Sequence, residues 1–568
     1  MYFLNKFKQD KLFYILLIIV FSLGTFIRLN DFSMVGYWND DMATIPTALL
    51  VFYPYNIFPG LSGPGEPILG HTFIGLGCML SGEDFSKVSE AKPMFYPGRE
   101  ILIGKELINA FPYCHISIYL FGILFFLIMS LLALFLLDKY SSIFVISFYA
   151  FHSELLQLSR WIHVDIFGYV FIALGLLFLW KFYISEKNKK EILFFILSFS
   201  SFALAFATKL SNGLFLFLAT AILFDKYSKE FKQIIRLIGR KLELNVLERI
   251  QYQELELSRP IKIFIYSIMS YTLFILITLS FNPGNLFAVI SRYQSVNPEY
   301  STLSFNTQFF TSIIEFLLTV NLLDTLLFFI SLTLFFKLIK FRKEKRIRFI
   351  FYLLLLLMAA LILFKAFIYS RVFIAYSFGL IFLVSLLFSE NYLPFNVSKI
   401  KRKLILVILL FYVIFSFTTA FSISPHFSFR NQIICRVSNS GCQSNELNGF
   451  AQKQVAEYLK AVLQKNETFL PRGAIIYYYI REEQHLQSFL FDQAFFEKFN
   501  RYPNLIEKIQ YFHPNNQTIR YIIITPLQTG DDDEFIIGLR DNYKPNKIID
   551  LKEAEASWIY DFENLIKR

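Results

Sequence analysis

Two adjacent carboxylates, Asp40 and Asp41, follow the first apolar run of the chain within Trp38-Asn39-Asp40-Asp41-Met42. A third acid, Asp165, closes the stretch Ser159-Arg160-Trp161-Ile162-His163-Val164-Asp165. Cations recur at Lys209, Arg292, Lys365 and Arg371, with Glu66 and His71 in the long segment between the first two apolar runs. A carboxylate can take the proton of a hydroxyl or amine as it attacks, while Arg and Lys neutralise charge on a departing phosphate. The set therefore suits transfer from a phosphate-bearing donor. Hard oxygen ligands at Asp40, Asp41 or Asp165 would suit Mg or Mn in the second role, though with so many cations the sequence requires no metal. Taken singly, each residue reads more simply as a helix-end cap or a snorkelling side chain. The chain carries no P-loop glycine pattern, no H-E-x-x-H and no G-x-S-x-G, so a nucleotide hydrolase, zinc protease or serine hydrolase has no support.

The elements that must position these groups are membrane helices. Of 568 residues 55% are hydrophobic and 70 are Phe, which places the chain among polytopic membrane proteins. The formal charge of +11 does not point to nucleic acid, because the Lys and Arg residues gather in short loops between apolar runs. Those runs fall near 12–29, 115–137, 142–158, 166–183, 192–208, 212–225, 263–281, 311–336, 349–367, 372–389 and 404–422, giving about 11 transmembrane helices. Basic residues concentrate at 226–262 and 337–348, which predicts a cytoplasmic N-terminus and puts Asp40 and Asp41 outside. The basic N-terminus before the first run reads as a retained anchor rather than a cleaved signal.

The first outer loop, 30–114, is far longer than a connection needs, and its apolar stretches at 45–58 and 68–80 read as interfacial helices. A small globular cap is the other reading. The basic and apolar alternation within 226–262 suits an amphipathic helix on an anionic inner leaflet. Residues 1–422 thus form a transmembrane domain and 423–568 a soluble extracytoplasmic α/β domain, with a helix near Leu447–Leu463 and strands near Ala474–Ile480, Ile519–Thr525, Ile548 and Trp558–Tyr560. Within it Cys435 and Cys442 are spaced for a local disulfide in an oxidising compartment, or for two unpaired thiols.

The order of Asp40-Asp41 in a long first outer loop, Ser159 to Asp165 at the head of the fourth span, Ala207-Thr208-Lys209-Leu210-Ser211-Asn212-Gly213 between the fifth and sixth, and Ser370-Arg371-Val372-Phe373 at the tenth resembles the C-type (GT-C) integral-membrane glycosyltransferases. The similarity is greatest to the branch of protein O-mannosyltransferases and the aminoarabinose transferase of lipid A, and it covers roughly residues 10–390. It implies a polyprenyl-phosphate sugar donor and a protein, lipid or glycan acceptor. By position, Asp40 matches the catalytic base and Asp41 stands where the family usually has Glu. Asp165 matches a second acidic position. Arg160, Lys209 and Arg371 match basic positions near the lipid phosphate; Glu66, His71 and His163 are further candidates for contact with substrate. Localisation would follow as a multi-pass protein of the cell membrane, or of the endoplasmic reticulum in a eukaryote. A membrane transporter or a non-catalytic subunit that binds a lipid-linked sugar are the alternatives; a transporter would carry its ionisable groups at mid-membrane in broken helices.

Overall fold

The computed structural model describes residues 11–30, 44–45, 47–49, 51–52, 68–85, 93–96, 99–102, 105–186, 189–232, 254–280, 317, 320–338, 344–363, 376–389, 399–422, 452–464, 467–471, 505–512, 518–524, 539, 542–551 and 554–562. Its elements in order are α1 (Lys11–Leu29), α2 (Ile68–Met79), β1 (Pro93–Tyr96), β2 (Arg99–Leu102), α3 (Lys105–Leu136), α4 (Lys139–Phe151), α5 (Ser153–Leu158), α6 (Asp165–Ile184) and α7 (Lys189–Thr208). There follow α8 (Phe215–Lys226), α9 (Glu254–Ser280), α10 (Leu322–Leu338), α11 (Lys345–Leu363), α12 (Phe378–Ser385) and α13 (Lys399–Ser422). The C-terminal part holds α14 (Gln452–Val462), β3 (Glu467–Pro471), α15 (Leu505–Phe512), β4 (Thr518–Ile524), β5 (Lys547–Leu551) and β6 (Ala554–Asp561).

Among the described residues six helices are long and apolar enough to cross a membrane, within α1, α3, α6, α7, α9 and α13. Each of the eleven expected runs contains helix, but the shorter ones have identifiable breaks. The run at 142–158 divides at His152, an extended residue between α4 and α5. The run near 212 opens as a 3-10 turn, Leu210–Leu214, before α8 begins. Every residue from 141 to 170 is buried, so α4, α5 and the head of α6 are wrapped by other helices. An element with no polar face can be stable only in that setting.

Helices α3 and α6 run side by side in the same direction. Phe121 packs on Phe167, Phe125 on Tyr169, and Trp180 donates from Nε1 to Phe135 O at 3.1 Å. The head of α6 therefore lies level with the middle of α3. At 1.5 Å per residue the first part of α3 extends about 20 Å beyond Asp165. Helix α2 lies antiparallel along that extension: Phe73 packs on Phe121, and a disulfide joins Cys78 to Cys114, 36 residues apart in sequence. The pairing foreseen for Cys435 and Cys442 lies outside the described residues, as do the candidate strand at 474–480 and most of the loop between α1 and α2.

The C-terminal part is an α/β unit. Its four strands lie in the order β3-β4-β6-β5, with β3 parallel to β4 and the other pairs antiparallel. Alternation along β4 sends Tyr521 and Ile523 to one face, where α14 packs through Val455 and Leu459, and Ile522 and Ile524 to the other, which Ile509 of α15 covers. Covered on both faces, the strands read as nearly continuous apolar runs.

Candidate active site

The site begins where α5 ends. Ser159 to Val164 leave the helix as a tight buried turn: Trp161 N–H donates to Gln157 O at 3.0 Å, and His163 N–H to Trp161 O at 2.8 Å. Asp165 then opens α6, so its carboxylate lies in the first turn, where the helix dipole favours negative charge. On a neighbouring helix α7 ends at Thr208, and Lys209 follows in extended conformation. Its backbone is held from both sides, the N–H on Ala205 O at 3.1 Å and the carbonyl accepting from Asn212 N–H at 3.0 Å.

These two chain breaks bring together three residues of the expected set. Lys209 Nζ meets Asp165 Oδ1 at 2.5 Å, and His163 Nδ1 lies 3.0 Å from Asp165 Oδ2. The Asp165 side chain keeps 1% exposure, whereas those of Lys209 and His163 keep 11% each. The acid thus lies behind its two partners. The approach depends on Gly168, one turn into α6: a Cβ there would stand 2.5 Å from Asn212 Nδ2 and 2.7 Å from Thr208 Oγ1. Tyr376 supports the same 3-10 turn, bonding the Ser211 carbonyl through its hydroxyl and stacking on Phe215.

His71 is buried in the first turn of α2, beside the site. The adjacent Gly70 is so close to Val164 that a Cβ would fall 2.7 Å from the valine Cβ, and Phe73 stacks on Phe167 at 5.3 Å. Arg160 makes the helix-end contacts that were one of its two sequence readings. It is fully buried and its Nη2 reaches Ile27 O at 2.7 Å and Asn30 O at 2.5 Å, at the C-terminal end of α1. It is therefore a cap on the helix that leads into the Asp40-Asp41 segment. Arg28 makes the reciprocal contact: its guanidinium bonds Tyr149 O at 2.7 Å and Ala150 O at 3.0 Å on α4, over the Phe126 ring. Sequence reasoning passed over Arg28; the available signal was a lone arginine in the last turn of an otherwise apolar run.

Asp40, Asp41, Glu66 and Arg371 lie outside the described residues. Among the described residues no group of three His, Cys, Asp or Glu could hold a metal ion. At Asp165 an ammonium already meets one carboxylate oxygen, and His163 Nδ1 lies 3.0 Å from the other.

The opposite ends of the same helices are closed by ion pairs. Lys226 meets Glu191 at 2.7 Å, where Tyr227 also donates, and Arg348 meets Asp225 at 2.8 Å.

No protein-family model and no curated protein matches the chain. Among solved structures it is similar to ArnT from Cupriavidus metallidurans in the apo state, with 10% sequence identity, 98% of each chain covered and a TM-score of 0.44. It is also similar to the archaeal oligosaccharyltransferase AglB from Archaeoglobus fulgidus in complex with an inhibitory peptide and a dolichol-phosphate, with 11% identity, 91% of this chain and 70% of that chain covered, and a TM-score of 0.39.

Proposed function

We propose that this chain is a C-type membrane glycosyltransferase that moves one sugar from a polyprenyl-phosphate carrier to an acceptor at the extracytoplasmic face. The observation that carries the reading is the meeting of Asp165 with Lys209. They come from two of the short motifs on which the family resemblance rests, and they adjoin at one end of the bundle. In the reaction the bond from the sugar anomeric carbon to the phosphate oxygen breaks as the acceptor oxygen or nitrogen bonds to that carbon. Asp40 takes the acceptor proton, and the polyprenyl phosphate leaves with the bonding electron pair, its charge met by Lys209 and Arg371. Mg or Mn at Asp40 and Asp41 would share that last task.

The positive-inside distribution supports placing this end, and the C-terminal α/β domain, outside the membrane. A disulfide between Cys78 and Cys114 agrees with the same side, since such bonds persist in oxidising compartments. The test is transfer of radiolabelled sugar from a panel of polyprenyl-phosphate sugars to cell-extract acceptors by the purified full chain, beside Asp40→Asn and with chelator. Transfer that Asp40→Asn abolishes, in a variant that still assembles, is the expected result; the chelator lane decides the metal. Binding of the lipid carrier with no transfer from any donor would instead favour the non-catalytic lipid-sugar-binding reading.

A further inference from the structure

The cation that the proposed reaction sets on the lipid phosphate is bonded to an acid that the reaction has not yet used. Asp165 and Lys209 meet at 2.5 Å, so in this state the charge of each is turned toward the other rather than toward a substrate. The geometry points to a resting clasp that the donor opens: Lys209 gives up the Asp165 carboxylate for the lipid phosphate, and Asp165 thereby becomes available to the acceptor. This rests on the reading of the site as one for a polyprenyl-phosphate sugar.

Four features make the exchange cheap. The order of burial is the first, since Lys209 and His163 are the more exposed members and Asp165 lies behind them, so an incoming anion meets the ammonium before the acid. Lys209 also has a fixed backbone, bonded at both its N–H and its carbonyl, so only a flexible four-carbon stem needs to move. The swap replaces one charge-assisted contact with another, ammonium on carboxylate with ammonium on phosphate. Finally, the released carboxylate remains in the first turn of α6, where the helix dipole favours its charge.

The clasp makes a prediction of unusual sign. An acid in a phosphate site should repel the ligand through space, but here it also occupies the cation that the ligand needs. Apparent affinity falls by the fraction of protein in which the cation is free. Neutralising Asp165 should therefore tighten lipid-phosphate binding, and only while Lys209 is present.

The probe is undecaprenyl phosphate, titrated onto the full chain in nanodiscs, with phosphatidylglycerol and inorganic phosphate as separate arms. Asp165→Asn is expected to bind undecaprenyl phosphate about tenfold tighter than wild type. Lys209→Gln is expected to bind it more weakly, and Asp165→Asn with Lys209→Gln to bind as Lys209→Gln alone does. A gain seen equally with phosphatidylglycerol or inorganic phosphate would overturn the lipid-carrier assignment. Unchanged or weaker binding by Asp165→Asn, or a gain that survives loss of Lys209, would overturn the clasp. Should the Asn variant not assemble, Asp165→Ser gives the same reading, because a short hydroxyl suits the start of a helix.

A measurement on the wild type needs no substitution at Asp165. Addition of undecaprenyl phosphate should shift an infrared carboxylate stretch, and Lys209→Gln should lack that shift; its absence from the wild type counts against the exchange. A wild type that neither binds undecaprenyl phosphate nor transfers sugar would instead overturn the donor class. Transfer by the wild type without the Asp165→Asn gain overturns the clasp alone.

Discussion

Lys209 Nζ lies 2.5 Å from Asp165 Oδ1, across 44 residues of sequence, and what permits the contact is a glycine that touches neither. Gly168 lets the head of α6 close on Thr208 and Asn212. Gly168→Ala should destabilise the protein by about 1–3 kcal/mol through overpacking. Transfer should fall further than stability alone explains, because the helix heads move apart at the site. Melting in detergent and the rate of sugar transfer would be read together, and a variant normal in both would remove Gly168 from this role.

Arg160 binds two carbonyls at the end of α1 while fully buried. Arg160→Ala should cost about 3 kcal/mol, the range for hydrogen bonds to a charged donor. Arg160→Lys should recover only part of it, since both carbonyls are met by the one Nη2 at the far end of the guanidinium, which the shorter lysine stem does not match. Equal melting temperatures for the Lys variant and the wild type would argue that charge alone suffices.

The link between Cys78 and Cys114 joins α2 to α3 across a sequence separation of 36. Replacing both by Ser should lower stability by about 4 kcal/mol on the chain-entropy account. Peptide mapping without reductant should recover the two cysteines in one linked species. A free thiol at either position in protein taken directly from the membrane would contradict the assignment.

Asp324 is buried in α10, capped at its backbone by Asn321 and bonded by the Tyr412 hydroxyl at 2.7 Å from α13. Phe144, Phe148, Phe328 and Leu380 line the same apolar recess. Tyr412→Phe should cost about 1–3 kcal/mol by leaving the carboxyl without that donor. Asp324→Asn, which can still accept from the tyrosine, should be milder. The comparison requires only thermal unfolding, and the reverse ranking would show the bond to be incidental.

The helices were readable from hydropathy because a membrane span needs a long apolar run and little else. The meeting of Asp165 and Lys209 was readable only as an expectation of a shared side, from the order of short motifs. Arg28 was passed over, and the contacts of Arg160 with α1 were not foreseen, for one physical reason: their partners are backbone carbonyls, which every residue carries and no motif marks. The pairing of Cys78 with Cys114 was equally silent, since a spacing of 36 residues suggests no particular partner. In the α/β part β3, at Glu467–Pro471, was passed over, because a short strand ending in Pro offers little β signal. Its place became evident only through parallel pairing with β4.

The crossed arginines also set a schedule for biogenesis. Arg28 enters with the first span, yet the carbonyls it binds belong to Tyr149 and Ala150, 121 and 122 residues later. At ordinary rates of synthesis that is a wait of about ten seconds. Through that interval the guanidinium has, of its three carbonyl partners, only Gly24 O of its own helix, and the C-terminal end of α1 lacks its contacts with α4 and Arg160. Completion comes when the segment from α4 to Arg160 arrives, which hands Arg28 its acceptors and closes α1 in the same event. A chain stopped before residue 149 would thus leave the first helix inserted but unsecured, a natural point for quality control to discard it.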